Sequence, residues 1–243
     1  PVAGLYFFAN KIKELIVQQL VRSIQAVTYP ALASVQNDDA RLKQGYKKIV
    51  VLMTVTLFPG ILFTAALAGP LFEILLPEKW YSAVLYFQLL CLAALMMPLH
   101  SVNLNILKVK GRSDLFLYLE LVKKAMHGVV LLITYRYGVT AVIIGQIIIS
   151  CLSYIPNSYF SSKLLGYGVK EQVQDFGPIL FAALISAIFG YLSIGVIDMH
   201  VIIKVFIIGM LMLALYVLLL LLIDRVAILL PLQFARGILS RGR

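Results

Sequence analysis

The chain has 243 residues, 61% of them hydrophobic and only 13% charged, with a mean hydropathy of +0.95; this excludes an ordinary soluble domain and defines an integral membrane protein. Its net charge of +10 does not point to nucleic acid, because the Lys and Arg residues fall between hydrophobic runs rather than on one soluble face. Cys91 and Cys151 each sit inside an apolar run and support neither a disulfide framework nor a thiolate metal site.

Hydrophobic runs of spanning length recur about every 30 residues, so the chain is predicted to be an all-α polytopic bundle of about seven transmembrane helices. The predicted spans cover 4–31, 49–72, 81–107, 115–135, 137–160, 176–197 and 201–223. The first is long enough to cross a bilayer yet carries Lys11, Glu14, Gln18, Arg22 and Gln25 within an arc of about 80° on a helical wheel. An ionisable group at the bilayer centre costs at least ~2.5 kcal/mol, so such a stripe should face a wet cavity or other helices rather than lipid. A polar connection follows, with Gln36, Asn37, Asp38, Asp39 and Arg41.

The second span is uncharged and holds Pro59-Gly60 and Gly69-Pro70, which predicts a kink in its middle and an end near Pro70. Trp80, Tyr81 and Tyr86 open the third span as an interfacial aromatic belt would, and His100 and Asn103 share a face of it. In the basic turn Lys108 to Asp114, Gly111 can take positive φ and Ser113 or Asp114 could cap the next helix. The fourth span carries a second charged stripe, Glu120, Lys123, Lys124 and His127, with Glu120 and Lys124 spaced to pair. Gln146, Ser150, Ser153 and Asn157 line one face of the fifth, suited to interhelical hydrogen bonds or to substrate. The sixth and seventh lack midplane charges and read as lipid-facing or scaffold helices, and 224–243 reads as an amphipathic tail on the membrane surface.

Alternate connections carry thirteen Lys and Arg on one side and three on the other, which predicts cytoplasmic basic loops and a cytoplasmic C-terminus. The chain begins with Pro and shows no signal peptide; it is expected to be a fragment lacking an N-terminal part. No Gly-x-Ser-x-Gly, phosphate loop or His-Glu-x-x-His occurs, so no catalytic residue, cofactor or metal is assigned. His100 reads as a satisfied core residue, His127 equally as a proton relay or a structural group, and His200 as interfacial. The two stripes could pair internally, Glu14 with Lys11 or Arg22 and Glu120 with Lys124. Yet Lys and Arg exceed Glu five to two on these helices, and the excess favours an anionic, hydroxyl-rich ligand. Lys11, Gln18, Arg22, Gln25, Lys123 and Lys124 are therefore the candidate substrate-binding residues of a cationic cavity, with Glu14, Glu120 and His127 as candidates for ion coupling.

Several short motifs then recur in a familiar order. Gly4-Leu5-Tyr6-Phe7-Phe8-Ala9, Tyr29-Pro30-Ala31-Leu32-Ala33, Gln36-Asn37-Asp38, Gly69-Pro70, Pro77-x-x-Trp80 and Gly111-Arg112-Ser113-Asp114 resemble the C-terminal half of polysaccharide flippases. These are the O-antigen and lipopolysaccharide exporters of the MATE-like superfamily, which also holds multidrug extruders. The resemblance spans essentially the whole chain. It implies one lobe of a two-lobed transporter in the bacterial cytoplasmic (inner) membrane, moving oligosaccharide on an undecaprenyl pyrophosphate carrier by ion-coupled alternating access. It also implies, as partners, an N-terminal lobe of the same protein, membrane lipids, and a polysaccharide polymerase with chain-length regulators. Relatives often carry a proline in the first helix of this lobe, and the Lys13 to Ile16 region has none. The readings to be set against a flippase are a multidrug or small-cation extruder, a membrane-embedded polysaccharide polymerase or acyltransferase, and a purely structural bundle.

Overall fold

In the computed structural model, which describes residues 2–225, 227–228 and 230, every regular element is helical. The predicted surface tail over 224–243 lies almost wholly outside the described residues.

Helix α1 (Val2–Ala33) runs 32 residues without a break, because no Gly or Pro falls between Gly4 and Pro30 to interrupt it. Asp38 then caps α2 (Asp39–Ala66), its carboxylate accepting from the Arg41 amide at 3.0 Å. α2 continues as helix through Pro59, and a break comes at Leu67, after which α3 (Ala68–Leu75) begins. Pro70 therefore stands in the first turn of α3, where its missing N–H leaves no bond unmade, rather than ending the span as its sequence position suggested.

The stretch expected as one third span is divided. A 3-10 turn over Glu78–Ala83 leads into α4 (Val84–Ala94), and after Leu95 and Met96 the chain restarts as α5 (Met97–Val109) with Pro98 in its opening turn. Pro98 fits the break: it has no N–H to bond back to the Ala94 carbonyl, and its ring crowds that carbonyl. Gly111 takes φ 67°, and α6 (Ser113–Thr134) follows. Neither Ser113 nor Asp114 caps it with a side chain. Asp114 accepts two bonds from the Arg112 guanidinium instead, at 2.7 and 2.9 Å, which holds its carboxyl down at about 2. Gly138 (φ 88°) and Gly166 (φ 62°) bound α7 (Val139–Leu165), and α8 (Val169–Ile194) and α9 (Val201–Ile223) complete the described chain.

Five stretches are long and apolar enough to cross a membrane: α2, the broken segment Glu78–Val109, α7, α8 and α9. α1 and α6 are of comparable length but carry the two charged stripes. Helix α2 is central. Met53, Leu57 and Phe58 on it are fully enclosed, with α8 and then α9 on one flank and α4, α5 and α7 on the other. The outer faces of α8 and α9 expose Phe181, Leu192, Phe206 and Leu222, the surface a bilayer would cover.

One buried polar knot fastens four helices. Asn103 on α5 accepts from Tyr46 of α2 at 2.8 Å and from Ser161 of α7 at 2.7 Å, and its amide pairs both ways with that of Gln172 on α8 at 3.1 Å. Tyr154 of α7 donates to Gln172 at 2.8 Å. Close by, the connections that were counted together as basic gather at one end of the bundle. Lys110 reaches the Gln36 carbonyl at 2.9 Å and Asp39 at 2.5 Å, Lys43 the Gly166 carbonyl at 2.5 Å, and Lys47 Asp175 at 2.9 Å. Tyr167 in the α7–α8 connection donates to Asp175 at 2.6 Å; burial and then that bond push its phenol well above the ordinary range.

α6 meets α7 at Gly145, where an added Cβ would stand 2.6 Å from Val130 Cγ1 and 3.1 Å from Thr134 Cγ2. Both neighbours are β-branched and stiff at χ1, so α6 itself would have to move. Gly145→Val is expected to cost about 1–3 kcal/mol of stability, read as the unfolding midpoint in detergent, and Val130→Ala in the same chain should recover part of it. An unchanged midpoint would show that the helices are not in close contact there.

Candidate functional site

Helices α1, α4, α5, α6 and α7 enclose a cleft of about 730 Å³. From α1 it receives Tyr6, Asn10, Lys13, Glu14 and Val21; from α6 Glu120, Lys123, Lys124 and His127; from α7 Gln146, Ser150 and Ser153. α4 and α5 supply its floor with Ala93, Ala94, Met97, His100 and Ser101. Three lysines against two glutamates leave a positive balance before any histidine is counted. Neutral donors and acceptors fill most of the remaining polar wall.

The carboxylates are held differently. Glu14 accepts from Asn10 Nδ2 at 3.0 Å and makes no ion pair among the described residues. Glu120 is bound to Lys123, one turn ahead on α6, rather than to Lys124 as its spacing also allowed. Lys124 is consequently exposed in the cleft with no carboxylate partner among the described residues. His127 Nδ1 contacts the Lys123 carbonyl at 2.8 Å, which fixes the ring and turns its other nitrogen outward.

His100 is satisfied, as expected, and it also lines the cleft. Its Nε2 donates to the Ser150 carbonyl at 3.0 Å and its Nδ1 accepts from Asn157 Nδ2 at 2.7 Å, the contacts of a neutral ring. Asn157 is thereby turned away from the cleft as a buried support for His100. Gln146 donates to the Tyr6 hydroxyl at 3.1 Å, closing α1 against α7. The hydroxyls of Ser101 and Ser153 are buried without a hydrogen-bond partner among the described residues, a desolvation cost that a ligand hydroxyl would relieve.

The polar stripe expected along α1 is split. Glu14 reaches the cleft, but Lys11 is exposed on the outer side of the helix, and Gln18 accepts from Arg22 at 3.3 Å. Arg22 and Gln25 line a separate recess of about 360 Å³ with Ala26, Tyr29, Pro30, Asn105 and Lys108. The face that meets the cleft, through Tyr6, Asn10 and Glu14, is rotated roughly 90° from the centre of the predicted stripe. Sequence reasoning passed over Lys13 and Asn10 because both fall outside the densest polar arc. The signal that could have found them is Asn10 to Glu14, a polar i,i+4 pair on a helix otherwise apolar on that side. Ser101 carried no such mark.

Among the described residues the bundle thus gathers charged and polar side chains, Lys124 without a carboxylate partner, into one cleft. Residues 2–85 match a protein family described as "Polysaccharide biosynthesis protein". Over 195 residues the chain is 23% identical to the teichuronic acid biosynthesis protein TuaB of Bacillus subtilis, covering 79% of this chain and 40% of that protein. It is 22% identical over 198 residues to the lipopolysaccharide biosynthesis protein WzxC of Escherichia coli, 81% of this chain and 40% of that one. A membrane protein of the cps region of Klebsiella pneumoniae is 26% identical over 155 residues, 63% of this chain and 32% of that protein. No solved structure matches significantly. The match spans about 40% of the length of the first two of these relatives.

Proposed function

We propose that this chain forms one lobe of a transporter that moves lipid-linked oligosaccharide across the bacterial cytoplasmic membrane for surface polysaccharide synthesis. The observation that carries the reading is the cleft itself: a net positive, hydroxyl-matching wall in a bundle whose α8 and α9 present apolar outer faces. A sugar head group on an undecaprenyl pyrophosphate carrier presents the complementary chemistry, many hydroxyls and fixed negative charge. The work is transport rather than catalysis, the lobe closes against an N-terminal one, and the basic connections with the C-terminus face the cytoplasm. Alternating access would then turn the cleft from one leaflet to the other. Glu14, which interacts with Lys13 without a salt bridge among the described residues, and Glu120, held by Lys123, are the carboxylates that an ion gradient would act upon. Polymerase and chain-length regulators would take up the exported units.

The Glu120–Lys123 pair gives the test. If it serves only to pack α6, the exchange Glu120→Lys with Lys123→Glu restores the pair and with it surface polysaccharide. If Glu120 takes part in coupling or binding, each single change and the exchange all lose polymer while membrane abundance stays at the wild-type level. The proposal expects the second pattern, and recovery by the exchange would contradict it.

A further inference from the structure

The recess at Arg22 lies one to two turns beyond the cleft along the same two helices. On α5 the cleft ends at Ser101 and the recess begins at Asn105; on α1 the cleft ends at Val21 and the recess begins at Arg22. Both helices run toward the end where Lys110 clasps Gln36 and Asp39, the end with the basic connections. Its polar lining consists of Arg22, Lys108, Gln25, Asn105 and Tyr29, every one able to donate a hydrogen bond, with no carboxylate among them. The cleft, by contrast, carries Glu14 and Glu120 beside its lysines. Arg22 is loosely held by Gln18 at 3.3 Å, and Lys108 lies over the Phe116 ring at 4.8 Å, and neither cation has a carboxylate partner among the described residues.

A second observation points to a ligand. Asn105 is only 7% exposed, yet its side-chain amide makes no hydrogen bond to any described residue. Every other buried side-chain amide in the described chain is engaged through at least one of its atoms: Asn103, Asn157 and Gln172. Its polar atoms are not sealed inside the bundle but open into the two-cation recess, where the amide N–H can donate to an acceptor.

We infer that Arg22, Lys108 and Asn105 form a binding site for a phosphate or pyrophosphate group, distinct from the cleft, in which the phosphate end of the carrier rests while its sugars occupy the cleft. This deepens the transport reading and rests on it for the assignment of sugars to the cleft. The phosphate site itself stands on the recess alone. A guanidinium, an ammonium and an amide N–H lining one recess suit a tetrahedral anion with several oxygens, and Tyr29 and Gln25 can bond to the remaining ones. The spacing is compatible with one ligand bridging both sites. From Ser101 to Lys108 the helix advances only about 10 Å.

The test measures binding of farnesyl pyrophosphate, inorganic pyrophosphate and phosphatidylglycerol to the full chain in detergent. Arg22→Gln with Lys108→Gln should weaken farnesyl pyrophosphate at least about tenfold, since each substitution removes a charge-assisted bond. Arg22→Lys with Lys108→Arg should keep most of the affinity, and Asn105→Leu should lower it without removing charge. Both cations are exposed, so an unchanged melting temperature will show that the double variant is folded. Farnesyl pyrophosphate bound far more tightly than either other probe identifies the carrier as the source. Equal loss of inorganic pyrophosphate in the double variant supports the site with a soluble phosphate as its ligand, and the same pattern for phosphatidylglycerol supports it with a bilayer lipid. Full affinity in the double variant, or loss through Lys124→Gln instead, overturns the inference. Because no probe carries sugar, the outcome is independent of whether the cleft transports oligosaccharide.

Discussion

Replacing Lys124 with Gln is expected to lower surface polysaccharide by at least about tenfold, with the protein still present in the membrane at wild-type amount. Hydrogen bonds to a charged group contribute about 1.5–3 kcal/mol, and losing one that is made to the moving head group translates into roughly ten- to a hundredfold. The effect should be specific to this lysine. Lys123 is tied to Glu120 on the same helix, whereas Lys124 stands in the cleft with no carboxylate partner among the described residues. Its ammonium contributes nothing visible to packing, so stability should not change. Lys124→Arg, which keeps the charge, should retain most of the export. Wild-type polymer from Lys124→Gln would remove the cleft from the transport path.

The largest effect on stability is expected from Asn103→Leu. The substitution keeps an apolar volume in place but strips a partner from Tyr46, Ser161 and Gln172, all of them enclosed. A hydrogen bond between membrane helices is worth only about 0.6 kcal/mol on average, but an orphaned buried group costs about 1–3 kcal/mol. With several groups orphaned at once the total should reach about 3 kcal/mol, and α2, α5, α7 and α8 should loosen together. Thr54→Val provides the contrast. Thr54 is equally buried, yet its hydroxyl bonds only to the Val50 and Val51 carbonyls of its own helix, so its loss should cost under about 1 kcal/mol. Unfolding in a denaturing detergent series measures both. Equal costs would mean that the knot does not hold the four helices.

Hydropathy made the helical, membrane-spanning character of the chain readable, because burial in lipid selects residues one by one and leaves long uncharged runs such as 205–223. Breaks were read less well. Pro59-Gly60 suggested a kink, and α2 continues as helix through it, while Pro98, unmarked at first, stands where α5 restarts after α4. A proline sets a local constraint, but whether the helix ends or merely loses one bond depends on what the neighbouring helices supply. The charged residues show the same limit. Polarity marked α1 and α6 as unlike their neighbours, and the structure brings Glu14, Glu120, Lys123, Lys124, His127, Gln146, Ser150 and Ser153 to one cleft. Rotation about the α1 axis was not readable from periodicity, since polar residues there face two different openings. Lys13 turns into the cleft, Arg22 into the recess, and Lys11 to the outside. The knot around Asn103 and Gln172 joins residues 69 apart in sequence, and nothing local to either announces the other.

The central claim, that the cleft between α1, α6 and α7 holds the sugar head group, is tested most directly by photo-crosslinking to a radiolabelled lipid-linked oligosaccharide in membranes. A photoreactive amino acid would replace Gln146 in the cleft, and in a second protein Leu218, which is 54% exposed on the outer face of α9. The account predicts a label at position 146 that unlabelled lipid-linked oligosaccharide competes away, and no competable label at position 218. Competable labelling at 218, or none at 146, would contradict it.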